Sequence, residues 1–341
     1  MTINHNNIVN AACDLAALEF PVMVLSTRAG SGMVSIGDAI TDRLKERGPV
    51  YHYRIEDLLP PRIVEEDLAR YRLICERFPF LLEIIYRVPF FYYRKYMRVR
   101  LSSECPSLAL RDKLSELKIA TLIAVSHRPA FWASAVKYKC GIKFYLCNIL
   151  AEFGVNLGWK YLFWEAVDAL CGPLRSAEIP LYIRKKVPVK YMDLPVKAEF
   201  TMIRETPGDP DKVLIAGGAW ALGDIEGALQ ILVRDFPDLK INVACADNGR
   251  LYNNLRNRFG LDRVNVYAQM ESLAPLMEEC GSVIAKPGIA TIMECVAAGR
   301  KLFLLKGLPV SEDNNAGYAI KHLGAEEFSR ENFASWRKNF K

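Results

Sequence analysis

The sequence lacks the features that mark secreted, membrane-spanning and zinc-binding proteins. Its nine cysteines include no CxxC pair, and their odd number and scattered spacing favour buried, reduced thiols over a disulfide framework or a zinc ribbon. No stretch reaches the ~18 uncharged apolar residues of a transmembrane helix. The N-terminus has no basic residue ahead of an apolar run, as a signal peptide would have. We therefore expect a cytoplasmic protein.

The charge excess is small and local. Lys and Arg outnumber Asp and Glu by 45 to 39 over 341 residues, and a net charge of +6 excludes a histone-like polycation. Residues 70–100 hold eight basic and two acidic residues, so the excess of this stretch equals that of the whole chain. The same stretch, which we call the basic-aromatic segment, is also the most aromatic part of the sequence.

Short apolar runs alternate with helical spacing along the whole chain. The predicted strands are 20–26, 50–55, 119–126, 143–149, 166–172, 212–216, 240–244, 264–267, 282–285 and 301–305. The predicted helices between them are 35–47, 130–138, 225–234, 273–279 and 290–298, and residues 62–100 are mostly helical with breaks at Pro79 and Pro89. This alternation predicts an α/β protein with mainly parallel sheets in both halves.

A stretch rich in proline and basic residues, 179–200, separates the two halves. Pro180, Pro188 and Pro195 argue against a helix in this stretch. We therefore predict two domains, residues 1–195 and residues 196–341.

Three segments of the second half have residues suited to binding an anion or a sugar. In 285–298 a strand leads through a Pro-Gly turn into a helix, whose first amides favour an anion. Gly217 and Gly218 form a glycine loop that lacks the Lys-Ser/Thr of a P-loop. Residues 311–316 (SEDNNA) are predicted to form a loop of acids and amides. Taken singly, each is also common as plain αβ architecture, a tight turn or a solvated loop.

In their order along the chain, these segments resemble inverting glycosyltransferases of family 28, which includes the bacterial lipid-intermediate GlcNAc transferase and the diacylglycerol glycosyltransferases. Residues 26–39 (STRAGSGMVSIGDA), 125–129 (VSHRP) and 192–200 (MDLPVKAEF) resemble further segments of the diacylglycerol group. The resemblance implies two Rossmann-like domains with parallel sheets facing a cleft, the type B glycosyltransferase fold. It also implies an N-terminal domain on the acceptor and membrane side and a C-terminal domain that binds a UDP-sugar.

The resemblance also implies roles for individual residues. Glu294 matches the family glutamate that binds the ribose hydroxyls of the donor. The other implied donor-binding residues are Gly217 and Gly218 beneath the donor, Met270 at the base, Gly288, Ile289, Ala290 and Thr291 at the diphosphate, and Glu312, Asp313 and Asn314 at the sugar. Because amides and a helix dipole would stabilise the diphosphate, we expect no metal and no other cofactor.

The first domain departs from the family pattern at two positions. Its glycine loop, with Gly30, Ser31 and Gly32, is followed by Met33 where the family has histidine, and Asn148 stands where the diacylglycerol group has aspartate. Methionine transfers no proton, and neutral asparagine is a poor base. His127 is the remaining histidine at a motif position, and it either acts as the base or packs beneath the loop. His127 and Asn148 are the catalytic candidates.

The basic-aromatic segment has three interpretations. Amphipathic helices covering the first domain would place its apolar residues in the core. A nucleic-acid surface is disfavoured because the segment is rich in Leu, Ile and Phe and has no RNP or helix-turn-helix signature. Aromatic rings among Arg and Lys suit the headgroup region of an anionic membrane. The candidate membrane residues are Arg87, Phe90, Phe91, Tyr92, Arg94, Lys95, Arg98 and Arg100.

The sequence thus predicts an enzyme of glycolipid biosynthesis, a hexosyltransferase that takes its sugar from a UDP-sugar with inversion. Its acceptor would be a diacylglycerol-like or polyprenyl-linked lipid, and the protein would lie peripherally on the cytoplasmic face of a membrane. Two alternatives stay open, namely a protein that binds a UDP-sugar without transferring it and a UDP-sugar 2-epimerase on the same scaffold.

Overall fold

The computed structural model describes residues 18–28, 31–59, 61–88, 96–205, 208–218, 220–259 and 262–340. The chain divides into two compact units, Met1–Pro195 and Val196–Lys341. Each unit contains one six-stranded sheet in which all paired strands are parallel. The predicted α/β class with mainly parallel sheets is confirmed.

The sheet of the first unit has the strand order β2-β1-β3-β4-β5-β6. Its strands are β1 (Val22–Ser26), β2 (Val50–Arg54), β3 (Thr121–Val125), β4 (Tyr145–Ile149), β5 (Ala169–Gly172) and β6 (Val189–Tyr191). Every residue of β1 and β3 is buried, which fits central strands covered on both faces by helices. These residues account for the uninterrupted apolar runs in the sequence.

Strand β6 lies in the proline-rich stretch for which we predicted no strand. It has three residues and begins directly after Pro188, whose carbonyl accepts a hydrogen bond from the amide of Leu170. Proline is compatible with this place because β6 is an edge strand. The same stretch also holds one helical turn, Leu181–Arg184, capped by Pro180, so the expectation of no helix there was wrong.

The helices of the first unit that were predicted have shifted bounds, and Leu108–Glu116 and Leu181–Arg184 were not predicted. The helices are α1 (Ser31–Leu44), α2 (Pro61–Arg77), α3 (Phe80–Arg87), α4 (Leu108–Glu116), α5 (His127–Cys140) and α6 (Leu181–Arg184), with a further helical segment over 96–101. Pro79 is the N-cap residue of α3 and separates it from α2, as predicted. The predicted break at Pro89 lies outside the described residues.

The sheet of the second unit has the order β12-β11-β10-β7-β8-β9. Its strands are β7 (Asp209–Ala216), β8 (Lys240–Ala244), β9 (Val264–Tyr267), β10 (Cys280–Ala285), β11 (Lys301–Leu304) and β12 (Glu326–Glu327). Its helices are α7 (Ala198–Met202), α8 (Ile225–Asp235), α9 (Gly249–Arg258), α10 (Ala274–Glu279), α11 (Ile289–Ala298), α12 (Ser311–His322) and α13 (Arg330–Phe340). The strand order of this second sheet is that of the Rossmann fold.

One pair of cysteines does not fit the predicted buried, reduced thiols. Cys105 and Cys140 form a disulfide, although 35 residues separate them in the sequence, so the prediction of reduced thiols is wrong for these two. Cys140 ends α5 and Cys105 precedes α4, and only the fold brings the two close together. The six free cysteines within the described ranges are all buried, as expected.

Candidate functional site

The strand order of the second unit creates a switch point between β7 and β10, from which the chain winds in opposite directions. Ala216 and Ala285, the last residues of these two strands, are register partners. Ligands of open α/β sheets bind beyond the carboxyl ends of the strands at such a point. The fold therefore brings together the predicted glycine loop, Gly217–Gly218, and the Pro-Gly turn, Pro287–Gly288.

A lysine that the sequence analysis did not single out lies between these two loops. A Cβ added to Gly218 would come within 2.9 Å of Cε of Lys286, and one added to Gly288 would lie 3.8 Å from its Nζ. Gly218 has φ +68°, a left-handed conformation that favours glycine. The sequence did contain a signal, because Lys286 directly follows the end of a buried strand and precedes the Pro-Gly turn.

Helix α11 begins at this place. Gly288 is its N-cap residue and offers no side-chain hydrogen bond to the first turn, which contains Ile289, Ala290 and Thr291. The first amides of a helix have no partner within the helix, and the helix dipole makes this end partly positive. The local structure therefore suits an anion at the position that we predicted for a diphosphate.

Glu294 lies on α11 and is buried, with 8% of its surface exposed. The next residue, Cys295, is completely buried, and burial, reinforced by the charge of Glu294, raises the pKa of its thiol. The thiol therefore stays protonated and is no nucleophile. Of the two side chains, only the Glu294 carboxylate is chemically suited to accept hydrogen bonds from a ligand.

The predicted loop 311–316 is instead the start of α12. The Glu312 carboxylate forms an ion pair with Lys286 and accepts a 2.6 Å hydrogen bond from the amide of Leu308. Asn315 donates to the carbonyl of Pro287 over 3.3 Å. Glu312 and Asn315 thus hold the turn before α11, which is a different contact from the sugar contact that we predicted for Glu312.

The other two residues predicted at the sugar lie on the exposed side of α12. Asp313 accepts a hydrogen bond from the amide of Val310 and so stabilises its own helix, and Asn314 is exposed. Met270, the predicted base contact, is half-buried in the segment after β9. Strand β9 is the edge strand, two places from β7 in the sheet. The structure thus gathers the predicted phosphate and ribose residues at the switch point, whereas Met270 follows a more distant strand.

In the first unit, the switch point lies between β1 and β3. The segment after β1 is held by the buried carboxylate of Glu56, which accepts hydrogen bonds from the hydroxyl of Thr27 at 2.5 Å and the amide of Arg28 at 3.0 Å. Gly30 lies outside the described residues, and Ser31 and Gly32 lie in the first turn of α1 rather than in a loop. Met33 is buried in the core.

His127 follows β3 and begins α5. Its Nδ1 lies 3.2 Å from Nδ2 of Asn156 and 3.4 Å from the hydroxyl of Ser126. Its ring packs so closely under Gly158 that a Cβ there would come within 2.3 Å of the His127 Cδ2 atom. Gly158 lies in the short helix 157–161 and not in the glycine loop, so both predicted roles of His127 stay predictions.

Ser126, directly before His127, has an unusual backbone. Its φ of 82° and ψ of 163° lie in a region that is occupied almost only by glycine and costs other residues about 1–3 kcal/mol. Its amide donates to the carbonyl of Ile149 at the end of β4, which helps to hold this conformation. Strained residues of this kind cluster at functional sites.

Asn148, the other catalytic candidate, is a buried residue of β4. It lies inside β4 and not after it, with 0% of its surface exposed, and neither polar atom of its side chain has a hydrogen-bond partner. The side chain thus presents no exposed atom to an acceptor in this structure, and its catalytic role stays a prediction. The predicted strand, 143–149, ends at the same residue as β4, so the catalytic assignment of Asn148 rested on the family resemblance alone.

A hydrogen-bonded chain that the sequence analysis missed joins β1, β2 and α1. The Oγ of Ser26 lies 2.7 Å from Nε2 of His52, and Nδ1 of His52 lies 2.9 Å from Oδ1 of Asp38. We had given His52 no functional role. Because Ser26 is completely buried, this chain positions the end of β1 and offers no accessible nucleophile.

The basic-aromatic segment is only partly described. Phe90, Phe91, Tyr92, Arg94 and Lys95 lie outside the described residues, as does the side chain of Arg87. Arg98 is exposed. The guanidinium of Arg100 lies 4.7 Å from the ring centroid of Phe163 and donates to the carbonyl of Leu162, so this residue stabilises the first unit itself.

Helix α3, within the same segment, carries an exposed apolar stripe. Phe80 and Ile84 on the helix and Val88, its C-cap residue, recur at every fourth position and are 60%, 47% and 39% exposed. Leu82, on the opposite side of α3, is 1% exposed and packs inward. Among the described residues, no helix has the length and apolarity needed to cross a bilayer.

The chain is similar in sequence to a known glycosyltransferase. No family model matches the chain. It is 22% identical over 315 residues to a processive diacylglycerol beta-glucosyltransferase of Bacillus cereus, with 87% of this chain and 79% of the relative covered.

Two solved structures extend the comparison. Acinetobacter baumannii MurG matches with a TM-score of 0.55 at 13% identity, over 94% of this chain and 89% of MurG. Phytolacca americana UGT2 complexed with UDP-2fluoro-glucose and pterostilbene matches with a TM-score of 0.51 at 12% identity, over 90% and 84%. The chain therefore has the type B glycosyltransferase fold, and its sequence similarity confirms the predicted resemblance to the diacylglycerol glycosyltransferases of family 28.

Proposed function

We propose that this protein transfers a hexose from a UDP-sugar to a lipid hydroxyl, with inversion at the anomeric carbon. The observation that carries the proposal is the switch point of the second unit. There the glycine loop, the Pro-Gly turn and the start of α11 meet at one edge of the sheet, and α11 carries the buried Glu294. The family resemblance assigns these positions to the donor, and the similar Bacillus protein is named for glucose transfer to diacylglycerol.

The donor would bind through two chemically different parts of this site. Its diphosphate would accept hydrogen bonds from the first amides of α11, where the helix dipole favours negative charge. Its ribose hydroxyls would donate to the carboxylate of Glu294. These groups would stabilise the departing diphosphate electrostatically, so the proposed reaction needs no metal cofactor.

In the proposed reaction, the lipid hydroxyl attacks the anomeric carbon as the bond from this carbon to the UDP oxygen breaks. The attacking oxygen loses its proton to a base, and UDP leaves with the bonding electron pair. His127, at the switch point of the first unit, is our candidate for the base. Its partners Asn156 and Ser126 would fix the orientation of its ring.

Glu294→Ala tests the donor site. We expect it to weaken UDP binding, measured by isothermal titration calorimetry, about 10- to 100-fold, because hydrogen bonds to a charged group are each worth about 1.5–3 kcal/mol. Glu331→Ala is the control, because Glu331 lies on α13 with 75% of its side chain exposed. An unchanged UDP affinity in Glu294→Ala would refute the assignment of the site.

The transfer itself is tested by following UDP release from UDP-sugars with and without vesicles that contain diacylglycerol. Release that requires the vesicles, with a glycolipid as product, supports the proposal. UDP binding without release from any donor would instead favour the binding protein. The burial of Met33 and Asn148, at the positions of two polar family residues, is the observation that favours this second candidate.

The proposal includes a peripheral position on an anionic membrane at the cytoplasmic face. The stripe of Phe80, Ile84 and Val88 supports it, since exposed apolar residues on one face of a helix can enter the headgroup region. The basic residues of the surrounding segment would add attraction to anionic lipids, about 1 kcal/mol each near the surface. Arg100 is not among them, because it binds within the first unit.

The double variant Phe80→Ser/Ile84→Ser tests the membrane contact. Each buried apolar side chain of this size contributes about 1.5–3 kcal/mol, so we expect binding to anionic vesicles in a sedimentation assay to fall at least tenfold. UDP affinity should not change. Met202→Ser is the matched control, because Met202 is 74% exposed in the second unit. Equal vesicle binding by the double variant and the wild type would refute the role of α3.

A further inference from the structure

The surroundings of Lys286 set this lysine apart from a surface cation. Its side chain is 16% exposed, and the chain around it is built from glycines. A Cβ added to Gly218 would lie 2.9 Å from Cε of Lys286, and Cβ atoms added to Gly223 and Gly288 would lie 3.8 Å from its Cβ and Nζ. Three glycines thus lie around the lysine side chain, and a Cβ at Gly218 would crowd it.

The charges around Lys286 favour an anion at the start of α11. The ammonium of Lys286 lies close to the N-cap of α11, and a cation is disfavoured near the partly positive end of a helix. Its ion-pair partner, Glu312, is itself in the first turn of α12, where a carboxylate is favoured. The first turn of α12 carries Asp313 as well as Glu312, whereas the first turn of α11 carries no acidic residue, so an anion is favoured at the start of α11 beside the ammonium.

The contacts of α12 show how the ammonium is kept in place. One oxygen of Glu312 pairs with Lys286 and the other accepts from the amide of Leu308, so the carboxylate cannot rotate without losing a hydrogen bond. Asn315 holds the carbonyl of Pro287, the next residue after the lysine. Helix α12 therefore fixes both the charge and the backbone of the turn that leads into α11.

We propose that Lys286 binds the diphosphate of the donor directly and that Glu312 positions its ammonium for this contact. This inference rests on the proposed function, because it names one further residue of the same donor site. When the bond between the anomeric carbon and the UDP oxygen breaks, negative charge develops on the β-phosphate. The ammonium of Lys286 would neutralise part of that charge, which lowers the barrier to departure of UDP.

The test compares a ligand that has the diphosphate with one that lacks it. UDP is titrated by calorimetry and uridine by ligand-observed NMR, against the wild type, Lys286→Met and Lys286→Met/Glu312→Gln. The double variant removes both charges, so the Glu312 carboxylate is not left buried without its ion-pair partner. We expect both variants to bind UDP about 10- to 100-fold more weakly than the wild type and to bind uridine within twofold of it.

Two results would overturn the inference. One is UDP affinity at the wild-type level in both variants, which would mean that the ammonium does not contact the diphosphate. The other is an equal loss of uridine and UDP affinity in both variants, which would mean that the ion pair only supports the fold. Failure of the proposed function would show differently, because the wild type itself would then bind no UDP.

Discussion

Replacing Phe333 with alanine should lower the free energy of unfolding of the second unit by about 3–5 kcal/mol. Phe333 lies on α13 with 0% of its surface exposed. Its ring centroid is 5.1 Å from that of Phe236, 5.3 Å from that of Phe303 and 5.8 Å from that of Trp336. Truncation would leave a cavity between helices and sheet, and the loss of contacts on every side accounts for the large expected cost.

A urea titration followed by circular dichroism measures this change as a lower transition midpoint. Phe340→Ala is the matched control, because Phe340 lies on the same helix and is 48% exposed. We expect its effect to stay within about 0.5 kcal/mol, as for most surface substitutions. Equal midpoints for Phe333→Ala and the wild type would show that α13 is not part of the core.

The same helix shows which parts of the fold could be predicted from the sequence. Strands such as β8 and β9 match their predicted bounds, because an apolar run bounded by polar residues has few other interpretations. Helix α13 was not predicted, although Phe333, Trp336 and Phe340 have helical spacing. The polar residues between these aromatic residues obscure the apolar periodicity of the helix. Only the fold shows that Phe333 packs against β11.

The donor site was predicted in part for a similar reason. The places of Gly217, Gly218, Gly288 and Glu294 could be predicted because loops and helices follow strands in a fixed order, whereas their donor roles rest on the family resemblance. The pairing of Lys286 with Glu312 could not be predicted, because 26 residues separate them and the sequence does not give their distance in the fold.

The composition of 311–316 is ambiguous for a physical reason. Ser, Asp and Asn favour turns, but they also favour the first positions of helices, where their side chains accept hydrogen bonds from free amides. We predicted a loop, and the structure shows a helix in which Asp313 caps the amide of Val310. The chain reaches this helix through Val310, which has a φ of 69°. Such a φ is rare for a β-branched residue, so the sequence does not predict this turn.

Glu56→Ala should have the largest effect on the first unit. Glu56 is 5% exposed and lies in the short helix Ile55–Leu58 after β2, and its two oxygens accept from the Thr27 hydroxyl and the Arg28 amide. The alanine variant would remove the acceptor of both hydrogen bonds, and a hydrogen bond to a charged group is worth about 1.5–3 kcal/mol. Thr27 and Arg28 lead from β1 toward α1, so the start of α1 would lose its fixed position.

This loss should affect the proposed transfer more than it affects donor binding. A reacting group displaced by about 1 Å can cost roughly 100-fold in rate, so we expect kcat/KM for the lipid acceptor to fall at least that far. The affinity for UDP should stay within twofold, because the donor site is built from residues of the second unit. Glycolipid formation and UDP calorimetry on the same preparation measure the two quantities.

The neighbouring residue Asp57 provides a control for this prediction. Its carboxylate pairs with the Arg28 guanidinium at 2.6 Å, but 40% of the Asp57 side chain is exposed, and such pairs contribute about 0–1 kcal/mol. Asp57→Ala should therefore leave acceptor kinetics nearly unchanged. If both variants lowered kcat/KM equally, the surface ion pair rather than the buried carboxylate would hold the segment after β1. If Glu56→Ala weakened UDP binding as well, its effect would not be confined to the first unit.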